Sequence, residues 1–523
     1  MVAVPKVEVK PQEVHKYLME FGWNIDKRRG KYPTKYNYNP TAREQFKLIA
    51  KEYCRMEEEK DERQYGTLLD GLARMSVGSR IEPRWGEVMK IGSDFLASGE
   101  YAAISGTSVL WNATQSPELK NGYLAQTMDE IRHTAQTAYL NSYMAKHTYD
   151  PSGHSDSRRI RYMNPLFRPC RRALVEGFCA GDPVECSLNL QMVAEACFTN
   201  PLIVGLTEWA AANGDEVTPT IFLSIETDEL RHMANGYQTI VSIIHDQENH
   251  KYIQTDLENT FWIQNKFITP FVGAVLEYGA VNKVEPWAVT WDRWVYQDWA
   301  SMWLGRLSKF GIKTPRCLLE AKTEAYWSHH AAFLVATALW PLMLIRIEPP
   351  TEKDSEWLEK NYPSWYARYG VFYDVWKGMN YQDPASRFIP YQWLEKNNVR
   401  VYVCRTCQMP TVAPDTYGGA KKARIVEYGG RLHALCSDMC ERMFFMEPER
   451  YHTQMSFFEE FDGWNLADIV EKFHGVRSDG KTLASQPHLE SKRMWTLDDL
   501  RACGCVIEDP LRKYHGAHPA NAH

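Results

Sequence analysis

One pentapeptide occurs twice in this chain and limits the fold more than any other feature. Asp129-Glu130-Ile131-Arg132-His133 is matched by Asp228-Glu229-Leu230-Arg231-His232. Each copy contains Glu-x-x-His, which on a helix sets a carboxylate and an imidazole one turn apart on the same face. A single Glu-x-x-His is a weak signal, but two copies sharing the leading Asp and the inner Arg are a strong one. A lone glutamate in apolar, helical surroundings precedes each copy: Glu100 lies 30 residues before Glu130, and Glu195 lies 34 before Glu229. A carboxylate is costly to bury unpaired. The spacing gives room for an outgoing helix, a loop and a returning helix, so Glu…Glu-x-x-His reads as an antiparallel helix pair, present twice.

Two glutamates from two helices and Glu-x-x-His from two others form the ligand set of a carboxylate-bridged di-metal site in a ferritin-like four-helix bundle. Four carboxylates offset most of the charge of two metal ions, and two neutral imidazoles complete an N/O set suited to iron or manganese. The competing reading, two solvated helix faces with i,i+3 contacts, does not account for the duplication. Metal-bound His usually donates its other N–H to a carboxylate. Asp129 and Asp228 are the nearest candidates, with Arg132 and Arg231 placed to offset them; surface ion pairs are the plainer alternative. Thr199 stands four residues after Glu195, where one helical turn brings its hydroxyl beside the metals to relay a proton. Its alternative is a hydroxyl bonded back to its own helix.

The rest of the chain sets bounds. It has 523 residues, 60 Lys and Arg against 66 Asp and Glu, and a net charge of -6. No basic stripe marks a nucleic-acid footprint. The longest nearly unbroken apolar run, Ala331 to Ile345, is shorter than the roughly 20 residues that a spanning helix needs, so no membrane segment is expected. The first residues show no signal peptide, which implies a reducing, cytoplasmic setting where cysteines are thiols or metal ligands. Residues 1–40, rich in Pro, Lys and Tyr, read as an extended arm. Residues 41–398 read as a large helical catalytic body, with breaks near Gly78, Asp150 and Gly214 and a stop at Pro349-Pro350. Residues 399–523 read as a smaller mixed α/β unit, making the whole mainly α. Of twelve cysteines, Cys54, Cys170, Cys179, Cys186, Cys197 and Cys317 are scattered and read as small buried hydrophobes.

Cys404-x-x-Cys407, then 28 residues, then Cys436-x-x-x-Cys440 offers four thiolates at a spacing suited to a structural Zn²⁺. Reduced, buried thiols or partial disulfides are the alternative. A closed site of this kind staples the C-terminal unit and takes no part in chemistry at the di-metal site. Cys503 and Cys505 receive no assignment.

The doubled Asp-Glu-x-Arg-His, Ala196-Cys197-Phe198-Thr199-Asn200-Pro201-Leu202, and Ala234-Asn235-Gly236-Tyr237-Gln238 resemble the α subunit of soluble methane monooxygenase hydroxylase. The likeness runs nearly end to end, from Tyr32-Pro33-Thr34-Lys35-Tyr36 to Gly475-Val476-Arg477-Ser478-Asp479-Gly480-Lys481. It implies membership of the bacterial multicomponent di-iron monooxygenases: two irons activate O₂ and insert one oxygen atom into a hydrocarbon C–H bond. It also implies NADH as the electron source through a flavin and iron–sulfur reductase, a small regulatory protein, and β and γ chains in a two-fold assembly. Asn200 would lie on the route by which the regulatory protein and protons reach the site. Leu96, Thr137, Leu174, Phe178, Leu202 and Ile203 would fall at pocket or gate positions.

Two departures bear on substrate: Thr137 stands where the methane enzymes have Cys, and Leu174 where they have Phe. The cysteine pairs resemble those of propane and phenol enzymes and not those of the methane enzymes. An enzyme that hydroxylates methane or short-chain alkanes such as propane and butane, or epoxidises small alkenes, is expected, with the larger substrates accepted better than methane. A ribonucleotide-reductase-like radical subunit would normally place a tyrosine at 137, and Tyr139 lies on another face. A ferritin-like iron store is far shorter, and a partner subunit without metals would not keep all six ligands.

Overall fold

The computed structural model describes residues 35–37, 50–74, 77–114, 116–147, 164–178, 182–340, 349–379, 389, 391–397, 399–414, 424–474, 481–485, 494–502 and 504–511. Most of the arm expected over 1–40, the break near Asp150, Cys179 and Cys503 lie outside them. From within that arm Tyr36 is buried and donates to Asp256.

Helix α1 is Ala50–Asp61, continued by a π-helical stretch Glu62–Leu68. Helix α2 (Pro83–Ala113) and α3 (Pro117–His147) form the first antiparallel pair. Pro83 presets the first helical turn, and the Glu82 side chain caps it by accepting from Trp85 N. The second pair is α4, built of Pro183–Ser187, a π-helical stretch Leu188–Thr199 and Asn200–Ala212, with α5 (Val217–Ile244). The turn between them needs Gly214: its φ is +72°, and a Cβ there would lie 2.3 Å from the Arg80 carbonyl. Asp215 then caps α5 by accepting from Val217 N and Thr218 N at 3.0 Å.

The two pairs pack into one bundle. Close approach explains part of the Ala-Asn-Gly motif, because a Cβ on Gly236 would sit 2.5 Å from Gln191 Cβ on the π-helical stretch. Helix α6 (His250–Ala274) packs against that stretch and against α8 (Ser328–Ala336), which follows α7 (Leu318–Ala325).

The strands are short. β1 (Val399–Val403) pairs antiparallel with β2 (Pro410–Pro414), and β3 (Arg424–Tyr428) with β4 (Arg431–Leu435). Helix α9 (Asp438–Met446) follows, capped by Ser437. Cys404, Cys407, Cys436 and Cys440 belong to the same apolar cluster as the helical body, in contact with its main core. Trp85, Trp262, Trp287, Trp291, Trp299, Trp340, Trp365 and Trp376 are all fully buried, which gives the unusual tryptophan content a packing role. Of the scattered cysteines, Cys170, Cys186, Cys197 and Cys317 are core fillers as expected, whereas Cys54 is exposed on α1. Among the described residues no helix is long and apolar enough to cross a membrane.

Candidate metal centre

The bundle brings all six expected ligands together. Glu100 from α2 joins Glu130 and His133 from α3 in one group, and Glu130 joins Glu195 from α4 and His232 from α5 in a second. Glu130 is therefore shared. Glu229 is also central: its Oε1 is 3.7 Å from His133 Nδ1 and 3.9 Å from His232 Nδ1. The two imidazole rings lie 5.7 Å apart between centroids.

The electrostatics fit a pair of cations. Burial pushes the Glu100 and Glu195 carboxyls up to about 7 and Glu229 well above the carboxylate range. Four buried carboxylates crowd around two imidazoles; against the cost of burial they raise the proton affinity of His133 and His232, which in turn hold Glu130 low, so the site favours positive charge at its centre. Among the described residues, His133 Nδ1, His232 Nδ1, Glu195 Oε2 and Glu229 Oε2 are buried with no hydrogen-bond partner. Those atoms are the free donor set that metal ions would use.

The opposite ring nitrogens are held in a crossed pattern. His133 Nε2 lies 3.1 Å from Asp228 Oδ2, and His232 Nε2 lies 3.2 Å from Asp129 Oδ2. Each pentapeptide thus supplies the aspartate for the histidine of the other. The arginines behave as expected: Arg132 reaches Asp228 at 3.0 Å, and Arg231 reaches Asp129 at 3.1 Å and Asp228 at 2.6 Å. Burial alone would raise the Asp228 carboxyl, but its bonds to His133, Arg231 and Lys60 hold it far below the usual range.

Sequence reasoning missed the cover. On α1, Tyr53 OH donates to Asp129 at 2.8 Å, Glu57 accepts from Arg231 at 2.9 Å, and Lys60 bonds Asp228. The run Glu57 to Arg63 reads in sequence as a solvated charged face. A chain of amides was missed as well. Ser187 donates to Gln191, Gln191 to Gln126, and Gln126 to Glu195 at 2.8 Å and Glu130 at 3.1 Å. The signal present was the spacing of four from Ser187 to Gln191 to Glu195.

Beside the ligands lies an apolar cavity of about 80 Å³, bounded by Glu100, Glu130, Glu195 and Glu229 on the metal side. Leu96, Leu174, Phe178 and Leu202 line it, and Thr199 lies on the same wall. Two of the expected lining residues, Thr137 and Ile203, are not on the wall. Thr137 is turned away, its hydroxyl bonded back to the His133 carbonyl at 2.8 Å. Ile203 is buried in the core and is not on the cavity wall. Asn200 is half-buried off the cavity, its N–H bonded to the Glu195 carbonyl in the π pattern. Thr199 is accordingly reached through a π-helical stretch and not an α-helical turn. Phe267, Ile268 and Phe271 of α6 complete the far wall, and the sequence did not mark them.

The four late cysteines also converge. Cys407 Sγ and Cys436 Sγ are 3.7 Å apart, and Cys436 Sγ and Cys440 Sγ are 3.6 Å apart. A disulfide would need about 2.05 Å, whereas bonds of about 2.3 Å to a tetrahedral Zn²⁺ give sulfur–sulfur edges of about 3.8 Å. All four are buried, and Gln408 takes a left-handed φ of 62° to close the Cys404–Cys407 turn.

Paired helix hairpins that gather carboxylate and imidazole groups in this way have the architecture of the carboxylate-bridged di-metal proteins. The chain belongs to the methane, phenol and alkene hydroxylase family, whose model matches residues 24–247, and is a catalytic hydroxylase subunit of that family. It is 53% identical over 508 residues to the methane monooxygenase component A alpha chain of Methylosinus trichosporium, covering 97% of this chain and 96% of that one. It is 52% identical over 507 residues to the corresponding chain of Methylococcus capsulatus, with the same coverage. The propane 2-monooxygenase hydroxylase large subunit of Rhodococcus jostii is 31% identical over 530 residues, covering 95% of this chain and 94% of that one. Among solved structures, phenol hydroxylase from Pseudomonas sp. OX1 shares the fold, with a TM-score of 0.75 at 21% identity over 91% of this chain and 97% of that one.

Proposed function

We propose that this chain is the oxygen-activating subunit of a soluble di-iron monooxygenase for short-chain alkanes and small alkenes. The observation that carries the reading is the six-ligand cluster, with its partnerless imidazole nitrogens, opening onto an apolar cavity. Two irons held by Glu100, Glu130, His133, Glu195, Glu229 and His232 would supply O₂ activation and transfer of one oxygen atom to a C–H bond. The chain's own residues do the rest. Asp129 and Asp228 fix the tautomer and aim of the imidazoles, and Gln126 holds Glu195 and Glu130 in place. Thr199 sets a hydroxyl at the boundary between ligands and cavity, where it can hold or pass a proton. The apolar wall excludes water and binds the hydrocarbon.

Cavity size favours small substrates. At about 80 Å³ it is smaller than the roughly 150 Å³ cavity that accepts benzene in another protein. Leu174 in place of an aromatic ring leaves room beside the metals, so propane and butane should turn over at least as well as methane. The relatives of highest identity given above are methane enzymes, which makes substrate preference the point to measure. NADH through a partner reductase, a regulatory protein, and β and γ chains complete the proposed system in the cytoplasm. A structural Zn²⁺ at Cys404, Cys407, Cys436 and Cys440 completes the chain. The test is turnover of methane, propane and butane by the reconstituted system; a strong methane preference refutes the substrate assignment, and no oxygenated product refutes the function.

A further inference from the structure

The four-thiolate site is pressed against a helix of the catalytic body. Trp262 on α6 is fully buried, and its Nε1 donates to Cys440 Sγ at 3.1 Å. One turn further along the same face stands Lys266, also buried, with its ammonium 2.6 Å from Glu324 of α7. The same ammonium lies 5.5 Å from the centre of the Trp262 ring, beside the indole that bonds the cysteine site. Four thiolates around a divalent ion carry a net charge of -2. A buried ammonium and an indole N–H are the partners that such an anion needs in a water-free interior.

The residues that follow on α6 are Phe267 and Ile268, then Phe271, and these form the far wall of the cavity beside the di-metal cluster. From Trp262 to Phe271 is about 14 Å of continuous helix at about 1.5 Å per residue. A site that only fastened the C-terminal hairpins to each other would need no bond to α6. Here the cysteines share one core with α6, and Trp262 gives its only side-chain hydrogen-bond donor to the Cys440 sulfur.

We propose that Trp262 and Lys266 are positioning residues that lock α6 to the metal-loaded cysteine site, so that this site sets the Phe267–Ile268–Phe271 wall and with it the size of hydrocarbon admitted. The inference rests on the zinc and substrate assignments above. It makes the zinc a determinant of specificity from a distance, without contact with substrate.

The test uses the full reconstituted hydroxylase carrying Trp262→Phe, which keeps an aromatic side chain but removes the N–H together with the pyrrole half of the indole, or Lys266→Met, with Lys266→Arg as the charge-conserving control. Three quantities are read: zinc and iron per chain, the rate of zinc transfer to a chromophoric chelator, and the butane-to-methane product ratio. Intact protein should hold one zinc per chain. Both variants should keep their iron and release zinc about tenfold or more faster, in line with the 10–100-fold effects of such partners. The product ratio should change at least about threefold, and Lys266→Arg should stay near the intact values. Unchanged release rates overturn the positioning roles, and faster release with an unchanged product ratio overturns the link to the cavity. Absence of zinc from the intact chain overturns the inference together with the zinc assignment, and the iron and product readings then show that the di-iron reading stands apart.

Discussion

Asp228→Asn tests the crossed arrangement at the di-metal cluster. The carboxylate of Asp228 contacts His133 Nε2 at 3.1 Å, Arg132 at 3.0 Å, Arg231 at 2.6 Å and, in addition, Lys60. Asparagine keeps the shape, loses the charge and turns an amide N–H₂ toward groups that are themselves donors. The imidazole of His133 then loses its basicity and its aim, which for such partners lowers metal affinity 10–100-fold, or about 1.4–2.7 kcal/mol. Because the pairing is crossed, the ion affected should be the one held by Glu100 and His133. Asp129→Asn should instead weaken the ion held by Glu195 and His232, since Asp129 contacts His232 Nε2 at 3.2 Å. Iron titration against a ferrous chelator, with Mössbauer spectra resolving the two sites, distinguishes them. If each substitution weakens the ion of its own pentapeptide, or neither changes affinity, the geometry argued here is wrong.

Three further outcomes follow from particular contacts. Leu174→Phe places a ring in the cavity wall and should lower butane relative to methane turnover about tenfold, the scale on which apolar pockets discriminate; an unchanged ratio would remove Leu174 from the specificity argument. Gly236→Ala brings a Cβ to 2.5 Å from Gln191 Cβ and should cost about 1–3 kcal/mol of stability by calorimetry. Burial works to raise the Glu459 carboxyl, but the Arg405 guanidinium overrides it and holds it at about 2. Its folded value lies below the ordinary 4.5, so the stabilisation is complete above pH 4.5 and disappears as pH falls toward 2. The difference corresponds to about 3 kcal/mol. Denaturant unfolding should therefore show Glu459→Gln weakened at pH 7 and approaching the intact protein near pH 2.

The elements that the sequence reveals are those written in short-range code. The doubled Glu-x-x-His and the lone glutamates disclose four helices and the convergence of six candidate ligands because helical spacing and the cost of buried charge leave few other arrangements. The cysteine spacing discloses a thiolate cluster for the same reason. What escapes is set by packing between distant segments. The exchange of Asp129 and Asp228 between histidines depends on how α3 and α5 face each other, and either pairing has the same sequence. The cover of Tyr53, Glu57 and Lys60 comes from a helix whose charges look solvated. The π-helical register of Leu188–Thr199 shifts Asn200 off the cavity, and neither composition nor periodicity signals it. The docking of Cys440 on Trp262 links residues 178 positions apart.

The central claim is that the six-ligand cluster and its cavity form an oxygen-inserting site for small hydrocarbons. Its most direct test is oxidation of propane under ¹⁸O₂ by the reconstituted, iron-loaded hydroxylase with NADH, compared with Glu195→Ala. The account requires propanol carrying one ¹⁸O atom from the intact protein, and loss of both iron and product in the variant. Unlabelled propanol, or labelled product that survives the loss of Glu195, would contradict it.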